Sequence, residues 1–159
     1  MEKKTLKTIK ITKTNNPEYG YENKEELLTE TKQHIQDVGG VMTMLGYELA
    51  DRGGKHDWTK LEYFPQFAQD TLERLTTPEF KARDWYKIHT VKERHHINAN
   101  VPENVNLIDI LEMIVDCVVA GKTRSGHVDK KFLEIPNTIL EDAYWNTVEL
   151  IEDTVIIDE

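Results

Sequence analysis

The sequence of 159 residues has one cysteine, five prolines and no long apolar run. A single cysteine, Cys117, cannot form a disulfide within the chain, so a disulfide-held fold is excluded. The first fourteen residues contain lysines but no apolar segment of the kind found in secretory signals. No apolar run approaches the roughly 20 residues that span a bilayer. We therefore expect a cytoplasmic protein that does not contact a membrane.

Positive charge is also scarce, because the net charge is -9 at pH 7. Long nucleic acids bind through clustered Lys and Arg that release counterions, so this balance argues against such a partner. A small phosphorylated ligand needs only a few local cations. The length predicts a single domain over residues 1–159, with its core at about 24–151. The sequence leaves oligomerisation open.

The spacing of apolar residues predicts a mainly α fold. Residues 4–12 favour a short strand, which would pair with a second strand at 154–157. Helical spacing from Lys24 to about Ala50 predicts one long helix, or two joined near Gly39-Gly40, ended by the glycines of residues 51–54.

Turn and cap signals divide the rest of the chain. Thr59 and Glu62 have the spacing of a capping box, but Pro65 favours a tight turn at 59–64 before the next helix. From there we predict these elements: a helix from Pro65 to Leu75, a helix from Thr77 to about His89, a loop at 96–102, a helix capped by Asn106 and ended by Gly121, a basic loop at 122–126, and a last helix at about 138–151.

Imidazole and carboxylate side chains occur in an order that suggests a metal site: His34, His56, Asp57, His89, His95 and Asp116. On a helical wheel His34 shares an arc with Val38 and Val41, so we expect it to point inward. Taken alone, it is more often a hydrogen-bonded core histidine than a ligand. Asp116 is more often part of a solvated acidic face, although its neighbours are strongly apolar.

His56 and Asp57 follow two glycines, and adjacent side chains can reach one ion when they lie on a turn. The alternative is that Asp57 caps the next helix beside an exposed histidine. His89 and either His95 or His96 lie about two helical turns apart, and ordinary surface histidines are the alternative there. This mixture of ligands suits one or two divalent ions of Mn, Fe, Co, Ni, Zn or Mg better than Ca.

The ordered set resembles the HD-domain phosphohydrolases, which are helical metalloproteins. Residues 55–60, 85–89, 94–96 and 112–126 look more closely like an uncharacterised HD-like family of phages and bacteria. The resemblance implies an HD-like helical bundle and a metal-dependent hydrolase of phosphoesters. It also implies that His34, His56, Asp57 and Asp116 hold the first metal.

A bound metal would activate water for attack on a small phosphorylated substrate, such as a nucleotide. Lys60 and Arg94 are candidates for holding the phosphate, with His96, Lys122 and Arg124 as further candidates and solvated surface charge as the alternative. Asp57, Lys60 and Glu112 are the candidate catalytic residues, Glu112 as a base or as a residue that orients a ligand. A binding module without turnover remains the alternative function. Cys117 lacks the electropositive surroundings of a nucleophilic thiolate.

Overall fold

Helices make up most of the computed structural model, which describes residues 7–14, 20–73 and 75–158. In chain order the elements are β1 (Ile9–Thr12), α1 (Lys24–Lys55), α2 (Trp58–Glu62), α3 (Phe64–Leu72), α4 (Thr77–Ala82), α5 (Asp84–Lys92), α6 (Leu107–Ser125), a 3-10 turn (Lys130–Leu133), α7 (Asn137–Thr154) and β2 (Val155–Asp158). The predicted mainly α class is therefore confirmed. None of the helices in these ranges is long and apolar enough to cross a membrane.

Backbone contacts divide the chain into two compact units. The first unit combines residues up to Ala50 with residues from Thr147 onward, and the second is Asp51–Asn146. The first unit is thus built from two separate stretches of sequence, whereas the second is continuous. The single domain over residues 1–159 stays a prediction.

The first unit contains the predicted pair of strands. β1 runs parallel to β2, with Ile9 opposite Val155 and Thr12 opposite Asp158. Lys10 and Asp158 form an exposed ion pair across the two strands, with 2.8 Å between nitrogen and oxygen. The strand pairing is confirmed, and residues 4–6 of the predicted strand lie outside the described residues.

The long helix α1 is uninterrupted, and its predicted end at residues 51–54 is wrong. Glycine in a helix interior costs about 0.5–1 kcal/mol relative to alanine, which does not stop a helix that its neighbours favour. The helix passes through all five of its glycines, at positions 39, 40, 46, 53 and 54, to Lys55. The chain turns only at Asp57, whose φ of 58° is left-handed.

Two other predicted elements differ from the structure. The tight turn at 59–64 is wrong, because residues 58–62 form α2 and α3 begins at Phe64, with Pro65 in its first turn. The single helix from Thr77 to His89 is interrupted, because Arg83 adopts an extended backbone with ψ 144°. Each interruption redirects the chain, so that α2 and α5 come into contact.

The cap of α6 is confirmed, since the Asn106 side chain accepts hydrogen bonds from the amides of Ile108 and Asp109. The predicted end at Gly121 and the loop after it are wrong. The helix continues to Ser125 and ends at Gly126, which has a left-handed φ of 76°. The buried core of the second unit packs α6 against α7 and the loop before α6: Ile97, Val105, Ile110, Met113 and Ala143.

Candidate metal centre

The turn between α1 and α2 places His56 and Asp57 side by side. Asp57 is the only described residue other than glycine with a positive φ, and aspartate tolerates that conformation better than most residues. Its side chain does not cap α2 and instead accepts a hydrogen bond from Lys60. The capping alternative for Asp57 is therefore wrong.

Three more histidines reach this turn from α5 and the loop that follows it. His89 lies on the last turns of α5, and His95 and His96 lie in the loop. His89 and His95 are buried, and His96 is half-buried. The rings of His95 and His96 are 4.2 Å apart, and those of His56 and His95 are 4.3 Å apart. The four imidazoles thus form one cluster.

The Nε2 atoms of the cluster surround two carboxylates. Nε2 of His89 lies 3.5 Å from Asp57 Oδ1, and Nε2 of His95 lies 3.6 Å from the same oxygen. Nε2 of His56 lies 3.5 Å from Asp57 Oδ2 and 3.5 Å from Asp116 Oδ1. Two ligands that are each about 2.1 Å from a tetrahedral ion are about 3.4 Å apart. Each of these spacings is therefore one that two ligands of the same small ion would show.

His95 belongs to both groups of potential ligands found among the described residues. One group is His56, His95 and Glu112, and the other is Asp57, His95 and His96. Within each group the ligand atoms lie within 4.8 Å of one another.

Three side-chain atoms of the cluster are buried without a hydrogen bond to any described residue. They are both ring nitrogens of His95 and Oδ1 of Asp57. Nδ1 of His95 is only 3.1 Å from Glu112 Oε1, but the arrangement lacks hydrogen-bond geometry. His95 is 1% exposed, so water does not replace the missing partners from outside. Buried polar atoms left without partners are costly, and a cation would satisfy Nε2 of His95 and Oδ1 of Asp57, which face each other.

The Nδ1 atoms are turned away from this centre towards other polar groups. Nδ1 of His56 is 3.0 Å from Glu112 Oε1, the oxygen that Nδ1 of His95 also faces. Nδ1 of His89 is 2.5 Å from the Thr59 hydroxyl, which donates to Glu93 Oε1 at 2.6 Å. Metal-binding histidines characteristically pair one nitrogen with such a group, which leaves the other as a ligand.

The pKa values of the histidines in the cluster are shifted in opposite directions. Hydrogen bonding to Asp116, and then to Glu112, raises the pKa of His56 to about 10. Burial lowers the pKa of His89 to about 4 and that of His96 to about 3. Burial raises the pKa of Glu112, but the hydrogen bond from His56, the nearby His95 and the charge of Arg52 outweigh it, and the net pKa is about 2. At neutral pH the site therefore holds carboxylates, a protonated His56, and neutral His89 and His96.

One side of the cluster reaches solvent. His56, Asp57, Lys60 and Asp116 are all half-buried. The Asp116 carboxylate is held in its ionised form chiefly by its hydrogen bond with His56, which lowers its pKa. A ligand from solvent can therefore approach from the side of Asp116 and Lys60.

Arg94 is engaged elsewhere. It forms a forked contact with Asp109, in which Nε is 2.7 Å from Oδ1 and Nη2 is 2.6 Å from Oδ2. It also binds the side chain and the backbone carbonyl of Asn104. Arg52 adds a bond of 2.9 Å to Asp109 and one of 3.3 Å to Glu112. The role of Arg94 in the structure is to hold the start of α6.

The remaining candidate residues are not in the cluster. His34 belongs to the first unit, where it is exposed rather than inward-pointing and lines a pocket with Val38 and Val41, and neither group of potential ligands includes it. Lys122 and Arg124 are exposed on the last turn of α6. Burial raises the pKa of Cys117, which is unfavourable for a nucleophilic thiolate.

Four contributors to this region were missed from the sequence: Arg52, Thr59, Glu93 and Asp109. The spacing of Thr59 to Glu62 favours a helix cap, and the glycines after Arg52 favour a helix stop. Asp109, Glu112 and Asp116 do share one arc of α6, and that pattern was the available signal for Asp109. Glu93 directly precedes Arg94-His95-His96, but nothing in its local sequence distinguishes it from a surface glutamate.

Comparisons with known proteins give a family but no activity. No curated protein and no solved structure matches the chain. The model of a family of unknown function, DUF5662, matches residues 23–154, which include every residue of the cluster. The chain therefore belongs to the DUF5662 family.

Proposed function

We propose that this protein is a cytoplasmic, metal-dependent phosphohydrolase of the HD type, acting on a nucleotide or a similar small phosphoester. The observation that carries the proposal is the buried centre formed by His95 and Asp57. Both ring nitrogens of His95 and Oδ1 of Asp57 lack hydrogen bonds there, and three imidazole Nε2 atoms face the carboxylates of Asp57 and Asp116.

A divalent cation explains this arrangement better than a protein hydrogen-bond network. A network would pair each donor with an acceptor, whereas lone pairs gathered at one centre favour a positive ion. We assign His56, Asp57, His95 and Asp116 as the main ligands, with His89 and His96 on the same centre or on a second ion. The ligand types favour Mn, Fe, Co, Ni or Zn, and Mg is the further candidate.

The exposed side of the cluster supports catalysis rather than a structural role. Structural ions are enclosed by protein ligands, whereas catalytic ions keep a position open. The exposed side at Asp116 and Lys60 would provide that position. When bound, a divalent ion supplies a nucleophile by lowering the pKa of water to about 7 and stabilises charge on phosphoryl oxygens.

The side chains of the site have distinct proposed roles. Lys60, which contacts Asp57 directly, would hold the phosphate. Glu112 would orient His56 and His95 through its Oε1 atom, and Thr59 with Glu93 would orient His89. Arg94 is not assigned to substrate, because Asp109 and Asn104 occupy its donors. Lys122 and Arg124 remain candidates only for contacts at the periphery.

The charge of the protein supports a small substrate. A chain with a net charge of -9 repels long polyanions, and the cations near the cluster are few. A nucleotide presents one short phosphate group that a metal and Lys60 can hold together. A screen of nucleotides would identify the base and the number of phosphates.

Metal content is the first test. The protein should be purified without chelators, its bound metals measured by elemental analysis, and compared with an Asp57→Asn variant. Asparagine also tolerates a positive φ, so this change removes charge without the strain that alanine would introduce at φ 58°. Asp84→Asn, at an exposed aspartate, is the matched control. Equal metal content in all three proteins would refute the assigned centre.

Activity is the second test. Nucleoside mono-, di- and triphosphates and cyclic nucleotides should be screened with Mn, Co, Fe, Ni, Zn and Mg, with Asp57→Asn as the blank. The proposal expects release of phosphate, pyrophosphate or nucleoside that disappears in the blank. Tight nucleotide binding without turnover under every metal would favour the binding module instead.

A further inference from the structure

The helix α1 carries an exposed apolar stripe that the metal centre does not use. Large apolar residues recur every seven positions at Leu28, Ile35, Met42 and Leu49, and all four are exposed. Val38 and Leu45 lie between them at the intervening heptad positions, together with Thr31. We call these seven residues the α1 seam. A seam that repeats every seven residues over three heptads is the pattern by which one helix pairs with another.

Most of the seam is open to solvent. Met44 is the buried residue of this helix, and Ile35 lies about 180° around the helix from it. Ile35 and Met42 are 63% and 64% exposed, which is high for large apolar side chains. Val38, Met42 and Leu45 also line a pocket beside β1, in which Val38 and Met42 stay exposed and Leu45 is half-buried. The side of α1 that carries Leu28, Ile35, Met42 and Leu49 is therefore apolar and exposed among the described residues.

Charge on α1 is distributed so that the seam can meet a copy of itself. Between Leu28 and Leu49 the acidic residues are Glu30, Asp37 and Glu48, and all three fall on the side of Met44. The seam itself contains no charged residue. Two copies of a protein with a net charge of -9 could thus approach along the seam without bringing carboxylates together.

Two glycines beside the seam also favour pairing with a second helix. Gly39 and Gly46 are seven residues apart and lie next to Ile35 and Met42 on the helix surface. A Cβ at either glycine would meet no atom within 4 Å, so no contact within the described part of the chain requires glycine there. Each glycine costs the helix about 1 kcal/mol relative to alanine. Their absence of side chains would let a second helix approach the seam closely.

We propose that the α1 seam is a homodimer interface, in which α1 of one copy pairs with α1 of a second copy. A second copy is the occupant that these observations favour, because it supplies the same heptad spacing, the same uncharged stripe and the same glycines. The seam is about 32 Å long on a helix about 10 Å wide, so pairing covers several hundred Å² on each copy. That approaches the roughly 800 Å² per partner of a stable interface.

The test is the mass of the full chain in solution over a wide range of concentrations, by light scattering after size exclusion and by sedimentation. The unmodified protein should dimerise. Ile35→Glu combined with Met42→Glu should raise the dimer dissociation constant by roughly a hundredfold or more. Tyr47→Glu is the matched control, because Tyr47 is 74% exposed on the same helix but lies off the seam, and it should leave dimerisation unchanged.

Far-ultraviolet circular dichroism checks that each variant keeps its helices, and the milder pair Ile35→Gln and Met42→Gln replaces the charged pair if it does not fold. A monomer at every concentration would overturn the proposal and leave the seam for a helix of another protein. A dimer that survives both seam variants, or that Tyr47→Glu disrupts equally, would also overturn it.

Discussion

Two clusters of buried polar side chains lie along α6, and they differ in how completely their atoms are paired. At the start of the helix, Asp109 is 0% exposed and accepts bonds from Arg52, from two nitrogens of Arg94 and from the backbone amide of Asn106. One and two turns later, Glu112 and Asp116 face a group of histidines in which His95 has no hydrogen bond to a described residue.

The difference separates a structural cluster from a candidate binding cluster. A buried carboxylate that two guanidinium groups neutralise needs nothing further, and removing it would leave buried charges without a partner. A group of buried lone pairs that faces no donor raises the free energy of the folded state unless a cation binds there. The two clusters should therefore respond oppositely to mutation and to added metal.

The largest effect is expected at the paired cluster. Asp109→Ala should lower the free energy of unfolding by about 3–5 kcal/mol, because Arg52 and Arg94 lose their shared partner. Urea unfolding of metal-free protein measures this change. Asp84→Ala, at an exposed aspartate, should change stability by less than about 0.5 kcal/mol. Equal losses of stability in the two variants would show that Asp109 contributes no more to the fold than an exposed aspartate does.

A substitution in the histidine cluster should change the stability of the protein only when metal is bound. Saturating metal, at about 100 times its dissociation constant, should stabilise the unmodified protein by about 2.7 kcal/mol. His95→Asn keeps a donor near Glu112 but removes the atom that faces Asp57, so this gain should disappear. In metal-free protein the same change should cost less than about 1 kcal/mol.

Thermal unfolding with and without metal tests this prediction, with His127→Asn at an exposed histidine as the control. A large loss of stability in metal-free His95→Asn would mean that His95 is structural, like Asp109.

A smaller effect is expected from the group that orients His89. Thr59→Val removes the hydroxyl that links His89 to Glu93 while keeping a similar volume. Metal affinity should fall by about 10- to 100-fold, as is typical for a residue that orients a ligand. Titration calorimetry on metal-stripped protein measures the affinity. Thr59→Ser should restore most of it, and failure to do so would point to packing as the role of Thr59.

The last effects concern the pH dependence of metal-free protein. Burial lowers the pKa of His89 to about 4 and that of His96 to about 3, below the 6.5 of an unfolded histidine. The unfolded chain then binds protons that the folded chain does not, so stability should fall as pH drops from about 6.5 towards 4. His56 has the opposite sign: its pKa of about 10 means that it contributes stability below pH 6.5, which is lost as pH rises towards 10.

Unfolding free energies measured across this pH range test both the acidic limb of the stability profile, below pH 6.5, and the alkaline limb above it. His96→Asn should flatten the acidic limb, and His56→Asn should flatten the alkaline one. An unchanged profile in either variant would contradict the pKa assigned to that histidine.

Much of the fold could be predicted from local patterns. Asn106 was correctly identified as a cap because its side chain satisfies amides within the next three residues. The end of α1 could not be predicted in this way. Gly53 and Gly54 resemble a helix stop, but the tertiary structure keeps them helical and turns the chain at Asp57, where the histidine cluster and Lys60 surround the side chain.

The histidines and Asp116 could be nominated from the sequence because those residue types are rare in apolar surroundings. Their partners could not. Glu93 reaches Thr59 from 34 positions away, and Arg94 meets Asp109 only because a loop returns the chain to α6. A sequence pattern identifies residues that can bind an ion or a phosphate, but it does not reveal which of them are already occupied by each other.

The parallel pairing of β1 with β2 has a consequence for folding. It joins Ile9 to Val155, nearly the full length of the chain apart, so this contact carries the loop-closure entropy of almost all the residues between them. The unit that contains it needs residues from both sides of Asp51–Asn146, whereas the second unit is one continuous stretch. Residues 51–146 precede residues 155–158 in synthesis, so the histidine cluster can form before the strand pair.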